Sequence, residues 1–213
     1  MTHSPADDGQ YRARRRALAA AREVLRSHGY RSFSVERVAK AAGLSRRTLY
    51  NQFEDRTDLY RAVRLELVGE VEAALPREIS RSLPLQTAIE HFVGETCRAL
   101  AGDAHMQLRS AVARDGAELP WLAALYRERV TLPLEWAVER CLLQQAHGNM
   151  LLVDEPAAQA QRLVAMMMAS VVEPTAFHPS ELAAIFLSRL RAPIAAFAGG
   201  QQFLGHSSTR PDS

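Results

Sequence analysis

Residues 34–53 read SVERVAKAAGLSRRTLYNQF, and this stretch decides the fold of the N-terminal part of the chain. Ser34 is suited to cap a short helix over residues 35–42, because its hydroxyl can accept a hydrogen bond from an exposed amide of the first turn. Gly43 then ends that helix, since glycine adopts the left-handed C-cap conformation without steric cost. Ser45 is suited to cap a second short helix. Two short helices joined by so tight a turn are typical of a helix-turn-helix.

The two short helices divide into an apolar inner side and a polar outer side. The inward positions are apolar: Val38, Ala39, Leu44, Leu49 and Phe53. The second helix, which we expect to run to about residue 53, exposes side chains that can reach base edges in a major groove: Arg46, Arg47, Thr48, Tyr50 and Asn51. Phe53 is predicted to be core, whereas Tyr50 has two equal interpretations, core or contact.

Helices are also predicted on both sides of this stretch. A first helix over residues 12–28 ends at Gly29, a left-handed C-cap, and carries Leu18, Ala21, Leu25 and His28 on its inner face. A fourth helix begins at Asp55, with Asp58 as its capping partner. The arginines at 14–16 have two interpretations, a solvated helix face or a contact to phosphate or the minor groove.

The positive charge of the chain is confined to its N-terminal quarter. Residues 11–64 hold 14 basic and 5 acidic side chains, which gives +9, while the whole chain carries only +2. Phosphate attraction supplies much of the affinity of a nucleic-acid-binding protein, and a uniformly basic chain would bind indiscriminately. The asymmetry therefore favours a small nucleic-acid-binding head on a neutral-to-acidic body.

The order of residue types in this region resembles the TetR family of transcriptional regulators. The resemblance rests on Gly29-Tyr30, on residues 34–45, on Thr48 to Phe53 and on Arg56-Thr57-Asp58-Leu59, about a quarter of the chain. It implies a ligand-responsive DNA-binding regulator, a repressor that occupies a palindromic operator as a homodimer and is released by a small hydrophobic or amphipathic effector. It implies no enzymatic activity.

The resemblance also implies a role for each matching residue. Ser34, Ser45 and Tyr50 would contact or orient phosphates, and Thr48 a phosphate or a thymine methyl group. Arg46, Arg47 and Asn51 would read or flank base edges, and Arg56 would contact phosphate from the start of the fourth helix. Because the family commonly has Gly, Ala or Pro where Arg47 stands, the operator should be individual to this protein.

The remainder of the chain also has helical periodicity. Apolar residues recur at three- and four-residue steps, so we expect an all-α fold of about nine helices. Beyond the fourth helix, helices are predicted near 85–101, 104–115, 119–147, 156–173 and 179–198. The expected domains are a three-helix DNA-binding domain at 11–56, a larger ligand-binding and dimerisation domain at 57–200, and a flexible tail at 201–213.

A ligand pocket and a dimer interface are expected in the larger domain. Pro133 should kink the helix at 119–147, which carries two apolar stripes and is expected to be buried on both sides. The candidate pocket residues are Phe92, Met106, Arg109, Trp136, Met166 and Met167, although a Met-aromatic stripe is more often plain core. The last two helices are apolar on more than one side and should dimerise, because two recognition helices must lie about 34–36 Å apart. Residues 108–126, with Gly148 and Asp154, weakly resemble an AefR-like C-terminal domain.

Other chemistries find little support in the sequence. Cys97 and Cys141 stand in apolar helical contexts, which favours buried structural thiols in a reducing compartment over a redox switch. No metal-ligand spacing, phosphate loop or catalytic motif is present, so neither a metal nor a cofactor is expected. Without a leader or a long apolar segment, the chain should be cytoplasmic. The rival hypothesis is a helical enzyme or carrier with a basic, non-specific surface.

Overall fold

The computed structural model describes residues 5–147, 155–172, 178 and 180–188. Within these ranges the chain consists of helices and turns without β-strands, which confirms the predicted all-α class. The helices are α1 Pro5–His28, α2 Val35–Ala42, α3 Arg46–Tyr50, α4 Arg56–Ala74, α5 Leu85–Leu100, α6 Asp103–Asp115, α7 Pro120–Tyr126, α8 Leu132–His147, α9 Pro156–Val172 and α10, residues 180–188.

Helix α1 begins earlier than the apolar periodicity predicts. The expected start was near residue 12, whereas the helix starts at Pro5. Proline suits the first turn, because its missing amide hydrogen has no intrahelical partner there. The inner face of α1 holds Ala17, Leu18, Ala21, Val24 and Leu25, all buried. His28, expected on that face, is exposed.

A π-helical turn connects α7 and α8. Arg127–Thr131 forms this turn, so residues 120–147 are helical without interruption, close to the single helix expected at 119–147. Counted as one, this run brings the helices of the described residues to nine. Pro133 stands just after the π turn and cannot donate the amide hydrogen bond that an α-helix requires. The kink expected at Pro133 stays a prediction, and the π turn ends two residues before it.

The sequence predicts that residues 119–147 are buried on both sides. They are not, and the π turn explains the difference. A π turn holds one residue more than an α-helical turn, which rotates all later residues by about 100° about the axis. Leu134, Ala137 and Val138 are buried in α8, but Trp136 is 56% exposed. Trp136, which belongs to one of the two predicted apolar stripes, is therefore not part of the core.

The chain divides into two compact units. One contains the residues up to Ala73 together with Asp103–Tyr126, and therefore α1 to α4, α6 and α7. The other contains Ala74–Gly102 and the described residues from Arg127 onward, where α9 packs against both α5 and α8. The functional domains expected at 11–56 and 57–200 stay a prediction. Residues 189–213, with the expected tail, and Gly148 and Asp154 lie outside the described residues.

The described residues contain neither a helix that could span a membrane nor a cluster of metal-binding side chains. Among these residues, none of the helices is both long enough and apolar enough to cross a bilayer. The same residues contain no group of three or more His, Cys, Asp or Glu side chains that could hold a metal ion.

Candidate nucleic-acid interface

The turn between α2 and α3 has the capped geometry that the sequence predicts. Ser34 Oγ accepts a 3.2 Å hydrogen bond from the amide of Arg37 at the start of α2. Gly43 has φ 61°, the left-handed conformation, and the next amide, of Leu44, donates to the Ala39 carbonyl at 2.9 Å. These bonds fix where α2 ends and in which direction the chain leaves it.

Ser45 caps helix α3, and a backbone hydrogen bond from Phe53 follows its last turn. Ser45 Oγ accepts a 3.0 Å hydrogen bond from the Thr48 amide. Beyond Tyr50, where α3 ends, the Phe53 amide still donates to the Leu49 carbonyl at 2.9 Å, so helical bonding reaches the predicted residue. Leu49 and Phe53 are 1% and 2% exposed and attach this short helix to the core.

Five of the eight residues expected to contact DNA are exposed, and the other three are half-buried. The exposed group is Ser45, Arg46, Arg47, Tyr50 and Asn51. Tyr50, for which core and contact were equal alternatives, is 51% exposed and therefore not core. With Leu49 turned inward, α3 presents two guanidinium groups, a phenol and an amide to solvent. Guanidinium and amide groups can bond to base edges, and all four can bond to phosphate.

Ser34 and Thr48 are half-buried and already hold hydrogen bonds within the protein. Ser34 caps α2, and the Thr48 hydroxyl lies 2.8 Å from the hydroxyl of Ser45. A hydroxyl has one hydrogen to donate and two lone pairs, so each keeps capacity for two further partners. The hydrogen bonds at the starts of α2 and α3 thus orient both side chains. Both are expected to contact DNA from these positions.

Arg56 packs against the protein at the start of α4. Its Nη2 donates to the Tyr30 carbonyl, and its guanidinium lies over the Tyr30 ring, 4.2 Å from the centroid. Nε is buried without a hydrogen-bond partner among the described residues. Arg56 therefore ties α4 to the residue that follows the Gly29 cap of α1. Its predicted contact with phosphate stays a prediction.

Two arginines of α1 have a role that sequence reasoning missed. Arg16 Nη2 donates to the Ala42 carbonyl at 2.7 Å, at the end of α2. Arg14 Nη1 donates to the Gln52 carbonyl at 3.1 Å, and its guanidinium lies 4.6 Å from the Phe53 ring centroid. The ends of both short helices carry unpaired carbonyls and partial negative charge. Arg14 and Arg16 thus brace the helix-turn-helix against α1, whereas the Arg15 guanidinium lies 6.0 Å from the centroid of the Tyr11 ring.

The residues expected to line a ligand pocket lie in both units. Phe92 and Met167 are buried, Met166 is half-buried and Trp136 is exposed, and these four belong to the unit of α5, α8 and α9. Met106, which is 40% exposed, and the half-buried Arg109 belong to the unit that contains α1 to α4. Their common role in one pocket stays a prediction.

The apolar residues expected at a dimer interface are partly used within the chain itself. Those buried here are Leu163, Val164, Met167, Leu182 and Phe186. Met168, Val171 and Ile185 are half-buried, on the same helices. Leu190, Ile194 and Phe197 lie outside the described residues. One side of each of these helices therefore faces the core of its own unit.

Both cysteines have suppressed acidity. Burial raises the pKa of the Cys97 thiol, which lies 3.7 Å from the Ser170 hydroxyl. Burial likewise raises the pKa of Cys141. A thiol that resists ionisation is a poor nucleophile, as a structural cysteine should be.

Comparison with known proteins identifies the N-terminal region. Residues 17–63 match the family described as bacterial regulatory proteins, tetR family. The match begins within α1 and ends within α4, and thus contains the whole helix-turn-helix. No curated protein matches the sequence.

Solved structures show the same fold at low sequence identity. A flavonoid-responsive regulator, FrrA, aligns with TM-score 0.70 and 19% identity over 84% of this chain and 95% of its own. A protein of Mesorhizobium loti classed with the TetR-family transcriptional regulators aligns with TM-score 0.63 and 19% identity over 88% of this chain and 97% of its own. SmeT, the repressor of a Stenotrophomonas maltophilia multidrug efflux pump, aligns with TM-score 0.55 and 18% identity, over 84% and 89%.

Proposed function

This chain belongs, through its N-terminal domain, to the TetR family of bacterial regulatory proteins, and from that premise we propose that it is a cytoplasmic, ligand-responsive repressor. It binds a palindromic operator in double-stranded DNA as a homodimer. A small hydrophobic or amphipathic effector releases it. The observation that carries this proposal is the braced helix-turn-helix, whose second helix exposes Arg46, Arg47 and Asn51.

Affinity and specificity are assigned to different side chains of this surface. Arg46, Arg47 and Asn51 stand on α3 and read base edges, because guanidinium and amide groups form paired hydrogen bonds with bases. Ser34, Ser45, Thr48, Tyr50 and Arg56 contact phosphate or orient the groups that do. Phosphate contacts fix the position of the head on the duplex but carry no sequence information.

The dimer follows from the size of the reading surface. A helix of five residues, Arg46–Tyr50, reaches only a few base pairs. A second copy doubles the site and places the two helices one turn of DNA apart, which requires an inverted repeat. The interface is assigned to α9 and the helix that contains residues 180–188, whose half-buried apolar residues are Met168, Val171 and Ile185.

Release by an effector is assigned to the larger domain. Phe92, Trp136, Met166 and Met167, with Met106 and Arg109, are its proposed lining. An effector can release the operator only if it binds more tightly to the arrangement that does not fit the DNA. SmeT, the repressor of a multidrug efflux pump, and FrrA, a flavonoid-responsive regulator, support small-molecule effectors as the class to test.

Selection of bound duplexes from random DNA tests the proposal. The expected result is one inverted repeat, with half-sites separated by about one helical turn. Recovery of no preferred sequence would contradict it and favour a helical enzyme or carrier with a basic surface. Candidate efflux substrates and flavonoids added to the selected complex then test release, and persistence of the complex with every compound would contradict the effector part.

A further inference from the structure

A basic cleft lies within the unit that contains the helix-turn-helix. It has a volume of about 470 Å³ and is lined by residues of α1, α4 and α6, all of the same compact unit. This volume is that of a small-molecule site. Four of its nine lining residues are arginines: Arg22, Arg26, Arg64 and Arg114.

Three of these arginines have carboxylate partners, and two of those ion pairs are short. Arg22 Nη1 lies 2.6 Å from Glu70 Oε1, and Arg26 Nη2 lies 2.6 Å from Glu23 Oε1. A neighbouring cleft of about 320 Å³ contains both pairs and is lined by three arginines and three glutamates. That cleft is balanced in charge and has no preference for an anion.

Arg64 differs from these arginines because it is buried and forms no direct ion pair among the described residues. Arg64 is only 3% exposed, and its Nε has no hydrogen-bond partner among the described residues. The guanidinium lies over the Tyr60 ring, 4.6 Å from the centroid, and among the described residues no carboxylate pairs with it. Arg64 also contacts the Tyr60 hydroxyl, which bonds to Asp115, so that carboxylate compensates the buried charge only through Tyr60. A direct ion pair with an anion from the cleft would offset more of the cost of burial.

Arg114 supplies a second guanidinium. Its side chain is 50% exposed, and its Nε makes one long contact, 3.3 Å, with Asp115 Oδ1. The other carboxylate oxygen of Asp115 accepts the hydrogen bond from Tyr60. The planar guanidinium fork matches the two oxygens of a carboxylate or a phosphate.

We propose that this cleft binds the carboxylate or phosphate group of a small molecule, with Arg64 and Arg114 as its ion-pairing partners. Gln107 and Ser110 add polar groups to the wall, and Leu25 and Met106 add an apolar part suited to a short carbon chain. Asp103 is the one carboxylate among the lining residues, and it opposes the anion.

Calorimetric titration of the full chain, without DNA, tests the site with two probes, hexanoate and inorganic phosphate. Hexanamide has the same carbon chain without the charge and is the negative control. At least one anion should bind at one site per chain, and hexanamide should not. Loss of one charged partner should weaken binding roughly tenfold or more in Arg64→Met and in Arg114→Gln. Binding of hexanoate alone would assign the site to carboxylates, and binding of phosphate alone to phosphoryl groups.

Two further variants separate a specific site from general charge. Arg61→Gln removes an exposed arginine of the same helix that does not line the cleft, and it should leave the affinity unchanged. Asp103→Asn removes the opposing carboxylate and should tighten binding. If Arg64→Met does not fold, the opposite effects of Arg114→Gln and Asp103→Asn still decide the question.

The proposal is overturned if neither anion binds at about 10 mM, a concentration at which even weak specific sites fill. It is equally overturned if Arg61→Gln weakens binding as much as Arg114→Gln, because the effect would then be general. The experiment contains no DNA, so its failure leaves the repressor proposal untouched.

Discussion

The Tyr60 hydroxyl donates a 2.8 Å hydrogen bond to the carboxylate of Asp115, and this buried contact joins α4 to α6. Both residues are buried, Tyr60 at 0% and Asp115 at 5% exposure. The Tyr60 ring also makes edge contacts with Tyr30 and Trp121, at centroid distances of 4.6 and 6.0 Å. Helix α4, which follows the helix-turn-helix, is therefore fixed by a polar contact inside an aromatic cluster.

Tyr60→Phe should destabilise the protein. The substitution keeps the ring but removes the donor, which leaves a buried carboxylate with less compensation and costs about 1–3 kcal/mol. Urea unfolding measures this change. Tyr50→Phe is the matched control, because the Tyr50 ring is half exposed, and it should stay within about 0.5 kcal/mol. Equal stability of the Tyr60 variant and the unmodified chain would mean that the hydrogen bond contributes nothing.

Ser45 allows helix capping and DNA contact to be separated. Ser45→Ala removes the bond to the Thr48 amide and should lower the free energy of unfolding by about 1 kcal/mol. Ser45→Asp keeps an acceptor at the cap and should retain stability. Its negative charge should nevertheless weaken DNA binding, because the cap of α3 is placed against phosphate in our proposal. Urea unfolding and fluorescence anisotropy with the selected duplex measure the two effects.

The opposite pattern would refute this assignment. If Ser45→Asp bound the duplex as tightly as the unmodified chain, the N-terminus of α3 would not lie near phosphate.

Arg47→Ala should reduce specificity more than general affinity. A guanidinium that reads a base contributes about 1–3 kcal/mol of discrimination, so the selected duplex should lose that affinity while random DNA loses less. Arg98→Ala removes an exposed arginine of α5 and serves as the control. Equal losses on both duplexes would assign Arg47 to phosphate only.

Cys97 and Cys141 should react slowly with a disulfide reagent in the folded state. The thiolate is the reactive species, and burial raises the pKa of both thiols, so the rate should be low near pH 7.5 and increase as the pH rises. The same chain unfolded in guanidinium chloride gives the reference rate. A folded-state rate equal to that reference would reopen the possibility of a redox switch.

Local signals predicted the helix-turn-helix well. Ser34, Gly43 and Ser45 act through hydrogen bonds and backbone conformations that involve residues at most five positions away. Such interactions are encoded in short stretches, and for that reason the caps of α2 and α3 and the end of α2 could be predicted from residue order.

The destinations of long side chains could not be predicted in the same way. Arg14 and Arg16 bond to carbonyls 38 and 26 residues away in the sequence, and Arg56 bonds to a carbonyl 26 residues away. Their partners become neighbours only after the helices pack. The exposure of Trp136 has a related cause, because one additional residue in the π turn changes which side of α8 faces the core.

The most direct test of the central claim compares three duplexes by fluorescence anisotropy at one salt concentration: the selected inverted repeat, the repeat with one half-site scrambled, and a fully scrambled sequence. A dimer that reads bases should bind the intact repeat roughly a thousandfold or more tightly than the scrambled sequence. Loss of one half-site should remove most of that advantage. Equal affinity for the three duplexes would contradict the account.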